Sequence, residues 1–240
     1  MTYTLPNTEE KSSYLEQKFD EIAQKYDQFN DLITFGMHRH WKKFVVSQTG
    51  LRPEEHCLDL CCGTGDIACE VLRQHPSCKV TGLDFSKEML NIAKSKSSKN
   101  SRIQYVLGDA MEIPFPDANF DAVTIGYGLR NVPSLSGCLR EILRVLKPGG
   151  VLVSLDVGKV RFPVIAQINN FYFFRIVPLI GNWLMPDQEM FQYLPHSSLE
   201  YPNQELLKSL MFEAGFQQVE IHDFVFGAST VHVSCKPIHN

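Results

Sequence analysis

The stretch LDLCCGTGD, residues 58–66, joins a short apolar run to a segment with helical spacing. The run before it suits a buried strand, and GDIACEVLRQH after it places its apolar residues on one side of a helix. Glycines at such a turn let the backbone approach a ligand closely, which is typical of nucleotide-binding α/β folds. The chain is therefore expected to fold around a strand, a ligand-binding loop and a helix.

Strand-like and helix-like segments alternate along most of the remaining chain. The further apolar runs that suit strands are CKVTGLD, RIQYVLGD, FDAVTIGYG, VLVSLDVG, FQQVEIHDF and STVHVSCKP. Helical spacing occurs in FSKEMLNIAKSK, in SLSGCLREILRVLKPGG, which Pro-Gly-Gly is expected to close, and in QELLKSLMFEAG. This alternation predicts an α/β fold with a seven-stranded, mostly parallel sheet and helices on both faces. A short connection joins the last two strands, so the last strand is expected to be antiparallel.

Two segments fall outside this alternation. Residues 10–50 are helical in pattern, and residues 1–50 are predicted to form an N-terminal helical cap on a main domain of residues 51–240. The strongly apolar residues 162–185 mark an insertion at about 160–202. Polar residues, a proline and a glycine interrupt them, which argues against a membrane span. We expect a helical lid over the sheet, which would line an apolar pocket or touch a bilayer surface.

Composition and charge argue against several classes of protein. The net charge of −4 gives no reason to expect nucleic acid as a partner, because nucleic-acid-binding proteins are usually basic. No apolar run opens the sequence, so no signal peptide is expected, and the seven cysteines lack a regular disulfide spacing. A reduced, cytoplasmic protein is therefore predicted. Adjacent Cys61 and Cys62 are not spaced as zinc ligands, so no metal site is predicted and both are expected to fill space.

Acidic residues at strand ends indicate what the glycine loop binds. The loop matches G-x-G-x-x-G/A, and Asp84 follows about twenty residues later, as in dinucleotide sites, so the loop alone leaves NAD open. Asp59, inside the strand end before Gly63, suits a cationic group better than a pyrophosphate. Asp109, after the third strand, can accept a hydrogen bond from an adenine amine. No second glycine-rich turn supports a nicotinamide half, so an oxidoreductase is the weaker hypothesis.

Four motifs together resemble those of class I S-adenosylmethionine (SAM) methyltransferases: LDLCCGTGD, GLDFS, GDAMEIPFPDANFDAV and LREILRVLKPGG. More narrowly, FDEIAQKYDQFNDLITFGMHRHWK, IGYGLRNV and FQYLPHSS are similar to the ubiquinone/menaquinone C-methyltransferase family. The combination of KYDxxND, HRxWK and GLRNV is the most specific part. The resemblance implies a Rossmann-like class I methyltransferase fold with SAM as cofactor. It also implies methyl transfer to a ring carbon of a reduced prenylated quinol, of the demethylmenaquinol or polyprenyl-benzoquinol type.

The resemblance also implies which residues bind the cofactor. The methionine end would lie on Asp59 and the glycine loop, the ribose on Asp84, and the adenine against Phe85, with Asp109 and Ala110 at its edge. The full implied set is Asp59, Gly63, Thr64, Gly65, Asp84, Phe85, Asp109, Ala110 and Gly126. The sequence departs from the family pattern at Cys61, where many methyltransferases have glycine, and at Gly126, where serine is expected in several relatives. Both residues are small, so the implied binding stands.

For catalysis the resemblance implies Arg130, Asn131 and Tyr26. Arg130 would stabilise a phenolate or hold a water that takes its proton, Asn131 would bond a quinol oxygen, and Tyr26 with Asp27 would close the substrate side. Two of these residues have a structural alternative: a salt bridge for Arg130 and core packing for Tyr26. Further candidates are the cluster of His38, His40 and Trp41, together with His196, and Asp156 as a base or a strand-end cap.

The expected partner is a lipid quinol, with peripheral contact to a membrane and a homodimer as further expectations. The lysine-rich residues 87–102 are predicted to form a solvated helix face and loop, which would attract an anionic membrane weakly. The alternative functions are a SAM-dependent methyltransferase acting on another phenolic or small-molecule acceptor, and a non-catalytic SAM-binding subunit.

Overall fold

The computed structural model describes residues 10–185 and 190–238. Seven strands form one sheet. They are β1 (His56–Leu60), β2 (Lys79–Asp84), β3 (Ile103–Leu107), β4 (Phe120–Gly126), β5 (Leu146–Val157), β6 (Gln217–Phe224) and β7 (Ser229–Cys235). The helices are α1 (Lys11–Ile22), α2 (Tyr26–Thr34), α3 (Met37–Ser47), α4 (Asp66–Gln74), α5 (Lys87–Lys96), α6 (Leu135–Val145), α7 (Pro163–Phe171), α8 (Val177–Leu184), α9 (Met190–Glu200) and α10 (Gln204–Ala214).

The strand order is β3-β2-β1-β4-β5-β7-β6. β7 pairs antiparallel with β5 and β6, and the other neighbouring strands are parallel, so the predicted sheet is confirmed. The chain runs from β1 outward to β3 and then returns to place β4 on the other side of β1. Ligands of open α/β sheets bind at such a reversal, beyond the carboxyl ends of the strands.

Both faces of the sheet are covered by helices. Val45 of α3 and Val71 of α4 are buried in one apolar cluster, and Leu139 of α6 and Met211 of α10 are buried in the other. α6 ends at Val145, before the Pro-Gly-Gly sequence that was expected to close it. The residues of that sequence instead lie in β5, where the pairing with β4 shifts register, because proline cannot donate to the ladder.

The predicted helical cap consists of α1, α2 and α3, joined by a short 3-10 turn and by a tight turn at Phe35 and Gly36. The carboxylate of Asp20 ties it to the rest of the chain. Asp20 accepts hydrogen bonds from the hydroxyl of Ser86 and the backbone N–H of Glu88, at the start of α5. Residues 1–9 lie outside the described part, and the boundary at residue 50 stays a prediction.

The expected lid contains one continuous helix, Pro163–Leu184, in which a π-helical turn joins α7 to α8. Its length and mean hydropathy of 1.2 would suffice to cross a membrane, although polar residues interrupt it. One side packs on the protein: Val177 and Gly181 are buried, and a Cβ added at Gly181 would clash with the ring of Phe191. We call this segment the apolar helix. Residues 186–189 of the insertion lie outside the described residues.

Candidate active site

Two adjoining cavities lie beyond the carboxyl ends of β1 and β4. The smaller has a volume of about 50 Å³ and the larger about 430 Å³. The residues that line both are Tyr26, Cys61, Gly63, Gly126 and Tyr127. These five residues form the junction, where a ligand in one cavity would meet a ligand in the other.

Asp59 places a buried carboxylate beside the larger cavity. It is 1% exposed, and its oxygens accept hydrogen bonds from the N–H of Ala68 (3.0 Å) and the hydroxyl of Thr124 (3.0 Å). Burial raises the pKa of Asp59 to about 7. No ion pair neutralises it among residues 10–185 and 190–238, so a bound cation would stabilise its charged form.

Asp84, at the end of β2, lines the smaller cavity and supports the glycine loop. One oxygen accepts from the N–H of Gly63 at 2.7 Å, and the other accepts from the N–H of Ser86 at 2.9 Å. Burial raises the pKa of this carboxyl to about 6. Asp84 therefore positions the loop and has further lone pairs for ribose hydroxyls.

The two glycines of the loop have different surroundings. Gly63 has φ +53°, and a Cβ there would meet only the ring of Tyr26, at 4.0 Å, so its backbone is open toward both cavities. Gly65 has φ +79°, and its Cβ would lie 2.5 Å from the hydroxyl of Tyr105. Gly65 lines neither cavity, so the structure gives this predicted cofactor-binding residue a packing role.

The remaining predicted cofactor residues divide between the cavities. Phe85, Asp109 and Ala110 line the smaller one, and Phe85 packs against Phe19 of the cap with ring centroids 6.0 Å apart. Thr64 lines the larger cavity. A flat ring, a backbone edge and two acids surround the smaller cavity, which is chemistry suited to an adenosine half.

Tyr26, the first residue of α2, lies at the junction as expected for a residue that closes the site. Its neighbour Asp27 accepts a hydrogen bond from the hydroxyl of Thr64 at 2.6 Å and pairs with Lys96. Lys96 also pairs with Asp66, so this member of the lysine-rich segment is committed to internal contacts. The cap is thereby connected to the glycine loop.

Arg130 forms a buried ion pair. Its Nη1 donates to Asp156 (2.6 Å) and to the carbonyl of Tyr127 (2.9 Å), and its side chain lines the larger cavity. Asp156 also accepts from the N–H groups of Arg130 and Val157. With three donors on its carboxylate, Asp156 is a poor candidate for taking a substrate proton. The salt-bridge alternative thus describes Arg130, and its catalytic role stays a prediction.

Asn131 lines the smaller cavity and is held by neighbours on both ends of its amide. Its nitrogen donates to the carbonyl of Tyr127 (3.2 Å), and its oxygen accepts from the hydroxyl of Tyr193 (3.1 Å). The geometry places Asn131 beside the cofactor side of the junction, away from the larger cavity. The predicted bond to a quinol oxygen stays untested.

The histidine candidates differ in whether they line a cavity. His38 is 2% exposed, lines the larger cavity with Trp41, and holds Asp31 through Nε2 at 2.9 Å. Its Nδ1 is buried and has no hydrogen-bond partner in the part of the chain that is described. Burial lowers the pKa of His38, so the neutral ring is favoured. His40 and His196 line neither cavity.

The thiols are consistent with a space-filling role. Cys61 and Cys62 are free, and burial raises the pKa of both well above its ordinary value. The described residues contain no cluster of three histidines, cysteines or acids that could hold a metal ion. Cys61 lies at the junction with φ +52°, a backbone conformation that glycine adopts more easily, which accounts for the glycine expected at this position.

Comparison with known proteins decides the family. The family model described as the ubiE/COQ5 methyltransferase family matches residues 7–236. The chain belongs to this family. A demethylmenaquinone methyltransferase of Leptospira interrogans is 46% identical over 98% of this chain and 97% of its own length. A protein of the same name from Staphylococcus epidermidis is 40% identical over 94% of each chain.

Solved structures show the same fold as this ubiE/COQ5 family member. The [4+2]-cyclase SpnF matches with a TM-score of 0.71 and 18% identity over 99% of this chain and 100% of its own. A SAM-dependent methyltransferase of Thermotoga maritima matches with a TM-score of 0.66 and 19% identity, over 92% of this chain and 98% of its own. The predicted Rossmann-like class I methyltransferase fold is confirmed.

Family membership confirms that the chain is a SAM-dependent methyltransferase, and the oxidoreductase hypothesis is wrong. The residues present fit SAM on structural grounds. Asp59 is buried without an ion-pair partner among the described residues, Gly63 leaves its backbone open, and Asp84 has free acceptor capacity beside the cavity.

Two residues of the site were missed in the sequence. Tyr127 belongs to the motif IGYGLRNV, lines both cavities with φ +59°, and its hydroxyl bonds Ser229 at 2.9 Å. Burial raises its pKa. Asp31 belongs to KYDxxND and orients His38. Both lie inside the motifs that carried the family resemblance, so membership in a specific motif was the available signal.

Proposed function

We propose that this methyltransferase acts on demethylmenaquinol, the reduced form of the compound in its relatives' name. The supporting observation is the junction between a small cavity lined by predicted cofactor-binding residues and a larger cavity with mostly apolar walls. Relatives that share 40–46% of their residues over 92–98% of this chain are named demethylmenaquinone methyltransferases. The family's name also covers a ubiquinone branch, so the choice between quinols is the part to be tested.

The larger cavity suits a bicyclic ring with an apolar tail. Its volume of about 430 Å³ lies within the range for small-molecule sites, which are mainly apolar with a few placed polar groups. Ile165, Tyr172 and Phe173 of the apolar helix form one wall, and Trp41 and His38 of α3 form another. A ring between these walls would present one edge to the junction.

The chemistry requires a reduced ring. An ionised hydroxyl donates electron density to the adjacent ring carbon and makes it nucleophilic, whereas the oxidised quinone is electron-poor. SAM, when bound, supplies a methyl group on a positively charged sulfur. The chain's own contribution is to hold the ring edge at the junction and to exclude water, which is the usual benefit of orientation.

His38 is suited to hold the quinol hydroxyl. Asp31 accepts a hydrogen bond from Nε2, which leaves Nδ1 as the ring atom able to accept a proton or hydrogen bond. Because Nδ1 is buried, the side chains that cover it must move when the quinol binds. The neutral form favoured by burial has that lone pair available. Tyr26, at the junction, would limit the motion of the ring at its other edge.

The proposal is tested by methyl transfer from labelled SAM to short-tailed, soluble quinols. We expect a ring-methylated product from reduced demethylmenaquinol, and none from the oxidised compound or from a benzoquinol of equal tail length. If the benzoquinol gave more methylated product than demethylmenaquinol, the substrate assignment would be overturned. Transfer to oxygen in place of carbon would overturn the reaction.

A pair of neighbouring histidines provides the control for the site. His38→Ala should lower turnover by about 10- to 100-fold, the loss for a hydrogen bond to a hydroxyl that becomes charged as it gives up its proton, while SAM affinity is kept. His40→Ala, two residues away and outside both cavities, should leave turnover unchanged. Equal effects of the two substitutions would contradict the role of His38.

A cytoplasmic location, membrane association and a homodimer stay proposals.

A further inference from the structure

The outer side of the apolar helix is apolar and faces solvent. Its exposed large hydrophobic residues are Val164, Ile168, Phe171, Leu179 and Trp183. Their spacing of three to eight residues, with a π-helical turn between them, keeps them on one side of the helix. Arg175 is the charged residue in that stripe. A contiguous exposed apolar surface of this kind marks an interaction site, because soluble monomers seldom leave one uncovered.

The rim of the larger cavity continues this surface. Phe35, Met37, Val225 and Phe226 are exposed and line the cavity together with Ile168. Phe35 is 79% exposed, although burying it would be favourable. Phe35, Val225 and Phe226 have φ of 51°, 49° and 57°, which costs free energy for residues other than glycine. Strained backbone that holds apolar side chains in solvent indicates a functional surface.

The cavity and the outer stripe share a wall. Ile165 and Tyr172 line the cavity from the inner side of the apolar helix, while Phe171 and Trp183 face outward. The cavity is therefore one helix thickness from the outer surface and opens at its rim. A tail that leaves the cavity through the rim passes directly onto the exposed stripe.

Charge distinguishes between the candidate occupants. Residues 159–185 contain Lys159, Arg161 and Arg175 and no acidic residue, although the chain as a whole has a net charge of −4. Arg161 pairs with Glu205 and Asp223, and Lys159 donates to the carbonyls of Ser198 and Leu199, so the charge that faces a partner on the stripe is that of Arg175. In an anionic bilayer Arg175 can extend its apolar stem and place its guanidinium among the headgroups. In a contact with a second copy of this stripe, two such arginines would face each other without a counter-charge. Trp183, 78% exposed at the end of the helix, suits the headgroup level of a membrane.

We propose that the outer side of the apolar helix and the rim formed by Phe35, Met37, Val225 and Phe226 dock on an anionic bilayer, so that a prenyl tail enters the cavity directly from the membrane. The helix lies in the interface and does not span it, because its inner side packs on Phe29 and Phe191. This surface differs from the lysine-rich residues 87–102 considered in the sequence. The inference rests on the proposed function only for the identity of the tail.

The first test is binding to vesicles that contain no quinone. The full chain is floated with vesicles of phosphatidylglycerol and phosphatidylcholine, and with vesicles of phosphatidylcholine alone. The variant Leu179→Asp/Trp183→Asp changes two stripe residues that line neither cavity. The matched control is Leu206→Asp/Phe212→Asp on α10, where both side chains are similarly apolar and exposed. We expect the stripe variant to bind anionic vesicles at least about tenfold more weakly, and the control to bind as the parent does.

The second readout is turnover with two forms of substrate. The stripe variant should methylate a short-tailed soluble demethylmenaquinol at the parental rate, which also shows that it is folded. It should lose most of its turnover with a long-tailed quinol embedded in anionic vesicles. If the stripe variant binds vesicles as strongly as the parent, or if the α10 control loses as much binding and turnover as the stripe variant, the docking surface is overturned. A dimer in vesicle-free solution that the stripe substitutions dissociate would assign the surface to a second copy instead.

The two proposals fail in different ways. If vesicle binding depends on the stripe but no quinol is methylated, the proposed function is wrong and the docking surface is still supported. Efficient transfer to quinols of either tail length by a protein that never binds vesicles would leave the function standing and remove the docking surface.

Discussion

Replacing Asp59 with asparagine tests whether the site is built around a cation. The carboxylate is buried and without an ion pair among the described residues, and burial raises its pKa to about 7. Asparagine has the same shape: its oxygen can accept from the N–H of Ala68, and its amide can donate to the hydroxyl of Thr124. The substitution therefore removes the buried charge while keeping the packing. We expect the ligand-free variant to be more stable than the parent and to bind SAM more weakly.

Proton linkage gives the sign and the size of the effect. An unfolded aspartate titrates near pH 3.9 and the folded Asp59 near pH 7, so the folded state binds the proton more tightly between these values. The stability of the parent therefore falls as the pH rises through this window. A pKa raised by about three units lowers the parent's free energy of unfolding by about 4 kcal/mol above pH 7, compared with low pH. About 3 kcal/mol of this loss falls between pH 5 and pH 8. The variant lacks this loss.

The assay is urea unfolding of the ligand-free parent and the variant Asp59→Asn at pH 5, 6.5 and 8. The advantage of the variant should grow by about 3 kcal/mol across this range and shrink when saturating SAM is added, because SAM stabilises the parent more. Asp66→Asn is the opposite control. Lys42 and Lys96 hold the pKa of Asp66 far below its usual range, against the effect of burial, so its loss should destabilise the protein at pH 8. A pH-independent difference for Asp59→Asn would refute the reasoning.

Two further substitutions test the packing around the site. Asp156→Asn should leave the guanidinium of Arg130 buried without a counter-charge, at a cost of about 3–5 kcal/mol, which thermal unfolding would show as a Tm lower by about 6–20 °C. An unchanged Tm would mean that the pair is not a structural element. Gly181→Ala should destabilise the protein by about 1–3 kcal/mol despite the better helix propensity of alanine, because its Cβ would clash with Phe191. Phe191→Leu in the same chain should recover part of that loss, and a fully additive double variant would contradict the clash.

Local signals in the sequence predict most of the fold. Apolar runs ending at glycines or acids mark the strands, and the alternation with helices sets a parallel sheet, since a parallel connection needs a crossover. The cofactor side follows for the same reason. Asp59, Asp84, Asp109 and Gly126 each lie at or just beyond the end of a different strand, and a parallel sheet brings those ends to one edge.

Contacts between distant segments were beyond the sequence patterns. The ion pair of Arg130 with Asp156 joins residues from two strand ends, and no periodicity marks it. Gly65 matches the ligand-binding motif, but its surroundings are set by Tyr105 of β3, a distant segment of the sequence. The polar interruptions in the sequence argued against a membrane span for the apolar helix. Which side of this helix is buried and which is exposed depends on contacts with the rest of the chain, and the sequence pattern does not show these.

Helix α2 explains why the motif KYDxxND is so specific. Tyr26 lies at the junction of the cavities, Asp27 holds Thr64 of the glycine loop, and Asp31 orients His38 in the substrate wall. Phe29, on another side of the same helix, packs against Phe191 with ring centroids 4.6 Å apart, in the cluster that also contains the inner side of the apolar helix. Nine residues thus contact the cofactor loop, the substrate cavity and the base of the proposed membrane surface. A substitution that shifts the backbone of this helix would therefore disturb all three, because one nine-residue segment supplies the contacts.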